Sequence, residues 1–240
     1  MSTAVVFDCE SDGKPVRSGT PSEQDFRHVQ CTVACGIVLN VDNIFSKSAD
    51  VVLNKAKQIT CWRDVAPTKG ANPFEELFQA FDDADVIVGF NSLDFDMPLL
   101  RKHYGCKGAR RYMEHRLKSL DMFSRLRSVT NSWPKLDDLL SQNNLVTKSG
   151  DGAKAIVLWE KQKRVELQKY CMDDVKRTAE LSLLSKLRMG DNCIPEHVFG
   201  LRPMLRGMRL SSRDSPSHPQ SPTLESNSDN VLVDGGFVLV

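Results

Sequence analysis

The junction Ala4-Val5-Val6-Phe7-Asp8-Cys9-Glu10 constrains the fold more than any other stretch, because an apolar strand there runs straight into two carboxylates. Successive strand residues face opposite ways, so Asp8 and Glu10, two apart, point to the same side. Like charges placed together repel unless a cation lies between them. A strand entering a core gains no stability from ending this way, and a bound metal would remove the conflict. The pattern D-x-E alone is weak, since it arises by chance roughly once in a chain of this size. Its meaning depends on what other segments bring beside it.

Two segments supply candidates. Val86 to Gly89 is an apolar run that passes through Phe90-Asn91-Ser92-Leu93-Asp94-Phe95 into Asp96-Met97-Pro98. Pro98 suits the first turn of a helix, which puts Asp96 at a helix start beside the end of a strand, where the helix dipole favours an anion. Either Asp94 or Asp96 can instead be a plain N-cap, the reading preferred for Asp94. Phe95 would anchor the backbone in the core and leave the Asp96 carboxylate projecting. Further on, Tyr170 and Asp174 are four apart and share one face of a helix, although Asp173, three from Tyr170, competes with Asp174.

The strands come first and the helices later. Residues 3–8, 30–39 and 86–90 read as strands of a covered sheet, with a weaker strand around 50–53. Asn72 and Pro73 open an amphipathic helix carrying Phe74, Leu77, Phe78 and Phe81 on one face. Further helices are expected over 96–104, 135–142 and 152–160. The longest, 164–187, has Leu167, Cys171, Val175, Leu181 and Leu184 at helical spacing.

At this point the three segments, in this order, resemble the DEDD superfamily of 3'-5' exonucleases, in the branch whose third motif carries a tyrosine. That pattern is D-x-E on the first strand, N-x-x-x-F-D, and Y-x-x-x-D on a late helix. The chain supplies Asp8-Cys9-Glu10, Asn91 through Phe95-Asp96, and Tyr170 through Asp174. Residues 148–155, followed by Leu158-Trp159 and Tyr170-Cys171, are similar to the matching stretch of family B DNA polymerase proofreading domains and of nuclease domains attached to some predicted helicases. The resemblance covers about residues 3–190. It selects Asp96 over Asp94 and Asp174 over Asp173.

The resemblance implies an α/β fold, a ribonuclease H-like mixed central sheet flanked by helices, with the carboxylates gathered at one end. It implies two Mg2+ or Mn2+ ions on Asp8, Glu10, Asp96 and Asp174, the hard cations that oxygen ligands prefer. The expected activity is 3'-5' exonuclease hydrolysis of phosphodiester bonds in single-stranded or frayed DNA or RNA. Tyr170 would orient the attacking water rather than deprotonate it, since a phenol's ordinary pKa of about 10 makes it a poor base at neutral pH. Asn91 could brace Asp96 or the substrate, or make an ordinary loop hydrogen bond. The glycine-permitted turn at Lys148-Ser149-Gly150-Asp151 could offer free N–H groups to phosphate or be purely structural. Competing readings are a catalytically silent binding module on this fold and a structure-selective endonuclease.

Composition sets the outer limits. With 240 residues, 40% hydrophobic and 26% charged, the chain fits one soluble domain, 1–202, plus a tail, 203–240. The Ser/Pro-rich stretch 211–222 has little to bury. The apolar end, Val231 to Val240, could add a strand to a sheet edge, recruit a protein partner, or stay disordered. No run reaches the roughly 20 apolar residues of a membrane span, and Ala4 to Phe7 is too short for a leader, so an intracellular location is expected, cytoplasm and nucleus being indistinguishable. Seven cysteines without a C-x-x-C pair argue against a disulfide framework or zinc site. Cys31, Cys35 and Cys171 read as small buried residues. Net charge is +1, but residues 101–112 combine Arg101, Lys102, Arg110 and Arg111 with two tyrosines and no acid. That stretch is either a strip that tracks a phosphate backbone or a solvated basic loop.

Overall fold

A computed structural model describes residues 3–17, 24–105, 108–147 and 152–211. The first strand, β1 (Thr3–Ser11), is buried on both faces. Ala4 and Val6 join one core, Val5, Phe7 and Cys9 the other. A strand covered on both sides belongs at the centre of a sheet, and β1 lies there. A two-residue ribbon, β2 (Val16–Arg17) and β3 (Gln24–Asp25), separates it from β4 (Cys31–Asn40). With β5 (Lys57–Trp62), β6 (Val86–Gly89) and β7 (Ser119–Asp121), the sheet order is β5-β4-β1-β6-β7. β4 runs antiparallel to β1 and β5, whereas β6 is parallel to β1 and β7. This mixed five-stranded sheet flanked by helices fits the ribonuclease H-like arrangement expected from sequence.

Helices cover both faces. On the Val5/Phe7 side lie α3 (Glu75–Asp83), α4 (Asp96–Leu100), a 3-10 turn (Arg101–Tyr104) and α5 (Ala109–Leu117), with Phe74, Leu77, Phe78, Phe81 and Tyr112 in the core. The Ala4/Val6 side is covered by α6 (Met122–Thr130), α7 (Leu136–Gln142), α8 (Gly152–Glu160) and α9 (Arg164–Ser182). The hairpin β8 (Lys186–Met189) and β9 (Asn192–Pro195) leads into α10 (Glu196–Phe199) and α11 (Leu201–Ser211). None of the described helices is long and apolar enough to cross a membrane.

Several expectations are corrected. The stretch 50–53 is helical: α1 (Val41–Ser46) and α2 (Ala49–Asn54) carry Val41, Ile44 and Val52 into the core, and the β-branched pair Val51-Val52 gives only the local look of a strand. The strand on that edge is β5, where Ile59 and Cys61 alternate with half-buried Thr60 and Trp62. The long helix ends at Ser182 rather than 187, because Leu187 is buried within β8. The domain boundary at 202 falls inside α11, whose Leu201 and Leu205 are buried in the core. Arg202 anchors that helix by donating to the carbonyls of Ile44 and Leu183 and to Glu196. Lys148 and the turn through Asp151, and the apolar end at 231–240, lie outside the described residues.

The basic stretch at 101–112 is also corrected. Arg101–Tyr104 form a 3-10 turn and Ala109 opens α5, while residues 106 and 107 lie outside the described residues. Tyr104 stacks on Phe78 at 4.0 Å between ring centroids, and Tyr112 is buried, so neither ring is available to a base. Arg111 pairs with Glu75 and Asp82 of α3. Arg110 pairs with Glu114 of its own helix, and Arg101 lies over the Tyr112 ring.

Candidate metal centre

The carboxylates come from three separate segments and meet at the carboxyl ends of β1 and β6, where open α/β sheets commonly place their ligands. Asp8 and Glu10 leave β1 on the side of Ala4 and Val6, which faces α9. The β1–β4 register shifts between Glu10 and Ser11, a bulge that ends regular pairing beside the pair. The Thr32 hydroxyl holds that end by donating to the Glu10 carbonyl at 3.1 Å.

Asp96 arrives from the other parallel strand. β6 stops at Gly89, where a side chain could not stand: a Cβ would lie 2.4 Å from both Cβ and Oγ of Ser92. The chain then turns through Asn91 at φ 61°, a left-handed conformation that asparagine tolerates. Asp96, the first residue of α4, accepts a hydrogen bond from the Cys9 backbone N–H at 2.8 Å. That bond ties the second carboxylate segment directly to β1. Burial pushes the Asp96 carboxyl well above the usual carboxylate range, and the charge of Asp8 pushes the same way. A cation would offset both effects.

The third segment is α9, which buries Tyr170, Cys171 and Asp174 on its sheet-facing side. Asp174 accepts a hydrogen bond from the Arg177 guanidinium at 3.1 Å, and both side chains are buried. Asp173 instead pairs with Lys169 at the surface, and Asp94 is exposed.

One cavity of about 170 Å³ collects these groups: Asp8, Cys9, Glu10, Ser11, Phe90, Asn91, Phe95, Asp96, Tyr170 and Asp174 line it. The five residues expected to act together therefore share one space, with Asn91 and Phe95 in its wall. Arg101, Arg110 and Arg111 do not line it. A second cavity of about 260 Å³, lined by Ser11, Gly13, Lys14, Pro15, Phe95, Ala153 and Ile156, adjoins the first through Ser11 and Phe95.

Four contributors were not assigned to the site from sequence. The Asp8, Glu10 and Cys171 donor atoms lie within 4.8 Å of one another, a cluster able to hold a metal ion. Burial, the neighbouring Cys35 and the charges of Asp8 and Glu10 push the Cys171 thiol well up. Buried Asp121 accepts from the Asn91 and Leu93 N–H groups at 3.0 and 2.8 Å and so fixes the loop before Asp96. It also caps α6 through Ser124. Arg177 partners Asp174, and Lys154 of α8 places its ammonium 5.6 Å from the centre of the Tyr170 ring. From sequence, Cys171 reads only as a small buried residue and Lys154 only as part of the 148–155 stretch, while Asp121 and Arg177 carry no local signal.

Among solved structures, the family B DNA polymerase from the hyperthermophilic archaeon Pyrobaculum calidifontis is similar to this chain, with a TM-score of 0.49 at 17% identity. The match covers 76% of this chain and 24% of the polymerase chain. No protein-family model matches the sequence, and no curated protein matches it either.

Proposed function

We propose that the chain is a metal-dependent 3'-5' exonuclease acting on single-stranded or frayed nucleic acid. The observation that carries the reading is the convergence of Asp8, Glu10, Asp96 and Asp174, with Tyr170, on one cavity. These four carboxylates come from segments some eighty residues apart, and their mutual repulsion makes the assembly costly unless a cation occupies it. These four carboxylates are hard oxygen donors, which suits Mg2+ or Mn2+, and Asp8, Glu10, Asp96 and Asp174 would hold the ions. Such ions, when bound, supply an activated water and stabilise the departing 3'-oxygen.

The remaining roles belong to the protein's own groups. The Tyr170 hydroxyl orients the attacking water. Its ring is held by burial in α9, so the hydroxyl position is fixed before substrate arrives. Lys154 brings a cation next to that ring, where it complements a phosphate. Phe95, shared by the two cavities, gives a terminal base an apolar surface, while Cys9 and Asp121 act as positioning residues for Asp96 and its loop. The small volume of the carboxylate cavity suits a strand end rather than a paired duplex, whose backbone cannot reach a recessed site.

Alanine replacement tests the assignment residue by residue. Asp8→Ala, Glu10→Ala, Asp96→Ala and Asp174→Ala are expected to abolish hydrolysis of a labelled strand in Mg2+ or Mn2+ while the circular dichroism spectrum is unchanged. Asp94→Ala and Asp173→Ala retain most activity. Robust hydrolysis by Asp8→Ala protein sinks the proposal, and the reverse pattern among the neighbours shows that the wrong carboxylates were chosen.

A further inference from the structure

Phe90 lines the carboxylate cavity, and its ring meets that of Phe123 on α6 edge to face, 5.9 Å between centroids. Phe123 in turn meets Trp133 at 5.7 Å. Trp133 is 59% exposed, and the Arg127 guanidinium lies over its indole, 3.7 Å from the centroid. A continuous line of rings therefore runs from the cavity wall to open solvent and ends in an indole with a cation on its face.

Single exposed apolar residues are ordinary on protein surfaces. This one differs in how firmly it is held and in what surrounds it. After α6, Asn131 turns the chain at φ 50° and donates to the Arg127 carbonyl at 2.8 Å. Thr130 bonds both the Leu126 carbonyl and the Ser132 hydroxyl, and buried Pro134 pins the far side. The indole is thus set against α6 before any ligand arrives. From Met122 to Lys135 the sequence contains Arg125, Arg127 and Lys135 and no acidic residue.

Resting on the exonuclease reading, we propose that Trp133 and Arg127 form a stacking platform for the single nucleic-acid strand whose 3' end occupies the carboxylate cavity. An aromatic ring accepts any base because every base has a π-face, which gives affinity without sequence preference. The arginine, already flat on the indole, adds a second stacking plane and a charge for phosphate. Arg125, Arg127 and Lys135 in the same stretch place positive charge around the indole, which suits a polyanion.

The test uses the full chain. In EDTA, where no hydrolysis is expected, Trp133→Ala is expected to weaken binding of a single strand of roughly a dozen nucleotides about tenfold, the effect of losing one stacked base. Trp133→Phe keeps most of the affinity, and Arg127→Ala lowers the slope of log affinity against log salt by about one. In Mn2+, Trp133→Ala raises KM on the long strand with kcat unchanged, while hydrolysis of a dinucleotide, too short to leave the cavity, keeps its kcat/KM. Unchanged long-strand affinity in EDTA overturns the platform. So does an equal loss on the dinucleotide, which would place Trp133 in service of the cavity alone. A strand-binding defect in Trp133→Ala combined with no hydrolysis by wild-type protein in either metal would leave the platform standing and remove the exonuclease reading instead.

Discussion

Arg177→Met tests whether the site is built as a charge-balanced cluster. The guanidinium sits 3.1 Å from the Asp174 carboxylate, with 10% and 2% of the two side chains exposed. At an effective dielectric of about 20, the Coulomb attraction at that distance is about 5 kcal/mol. Removing one partner of a buried pair leaves the other charge less compensated, which costs up to about 3–5 kcal/mol. For a domain of this size that lowers the unfolding midpoint by roughly 6–20 °C. Thermal and urea unfolding in EDTA read the loss directly. Because the cost is electrostatic, Arg177→Met combined with Asp174→Asn is expected to recover most of it. Millimolar Mn2+ should also stabilise Arg177→Met more than wild-type protein, since a cation can replace the lost partner of Asp174. A loss below about 1 kcal/mol, or a double variant as unstable as the single one, would refute the reasoning and point to packing.

Gly89→Ala is expected to cost about 1–3 kcal/mol and to impair hydrolysis, because its Cβ would strike Ser92 at 2.4 Å and displace the loop carrying Asn91; unaltered urea midpoints would contradict this. A chain ending at residue 211 should unfold like the full protein, whereas one ending at 202 loses buried Leu205 and about 2–5 kcal/mol or more; equal midpoints would restore the boundary at 202. His115 is held by Tyr104 and Asp82 at 2.6 and 2.7 Å, and burial keeps its pKa below the usual 6.5 against the pull of Asp82. The unfolded chain therefore takes up a proton there at higher pH than the folded one, so this contribution is complete above about pH 6.5 and is lost as pH falls below it. Wild-type stability should show that decline relative to His115→Gln, and parallel pH profiles for the two proteins would exclude it.

What could be read from sequence follows the range of the forces involved. β1, β4 and β6 announce themselves because both faces of each are buried, which leaves long apolar runs. α8 occupies the limits expected for it, with Ala155 and Leu158 buried on one face and Gln162 turning the chain after its end. The strand β7, by contrast, is three residues long, too short for any alternation to show. In the basic stretch, Arg111 looks unpaired locally, while the acids that neutralise it, Glu75 and Asp82, lie about thirty residues earlier. At the site, Asp8 and Glu10 stand out as same-facing carboxylates ending an apolar strand, whereas the family resemblance, and no local pattern, selects Asp96 over Asp94 and Asp174, with Tyr170, over Asp173. Arg177 and Cys171 do not stand out, because an arginine on a helix and a cysteine in an apolar face both have commonplace roles. The Arg177–Asp174 pair is local, three residues apart on α9, but its burial, and the place of Cys171 beside Asp8, depend on how α9 docks on β1.

The most direct measurement is digestion of a 5'-labelled linear single strand beside a closed circle of the same sequence, in Mg2+ or Mn2+, by wild-type and Asp8→Ala protein. The account predicts a ladder of products shortened one nucleotide at a time from the 3' end, an intact circle, and no reaction with the variant or with a blocked 3' end. Cutting of the circle as fast as the linear strand would contradict it and leave an endonuclease built on the same five residues.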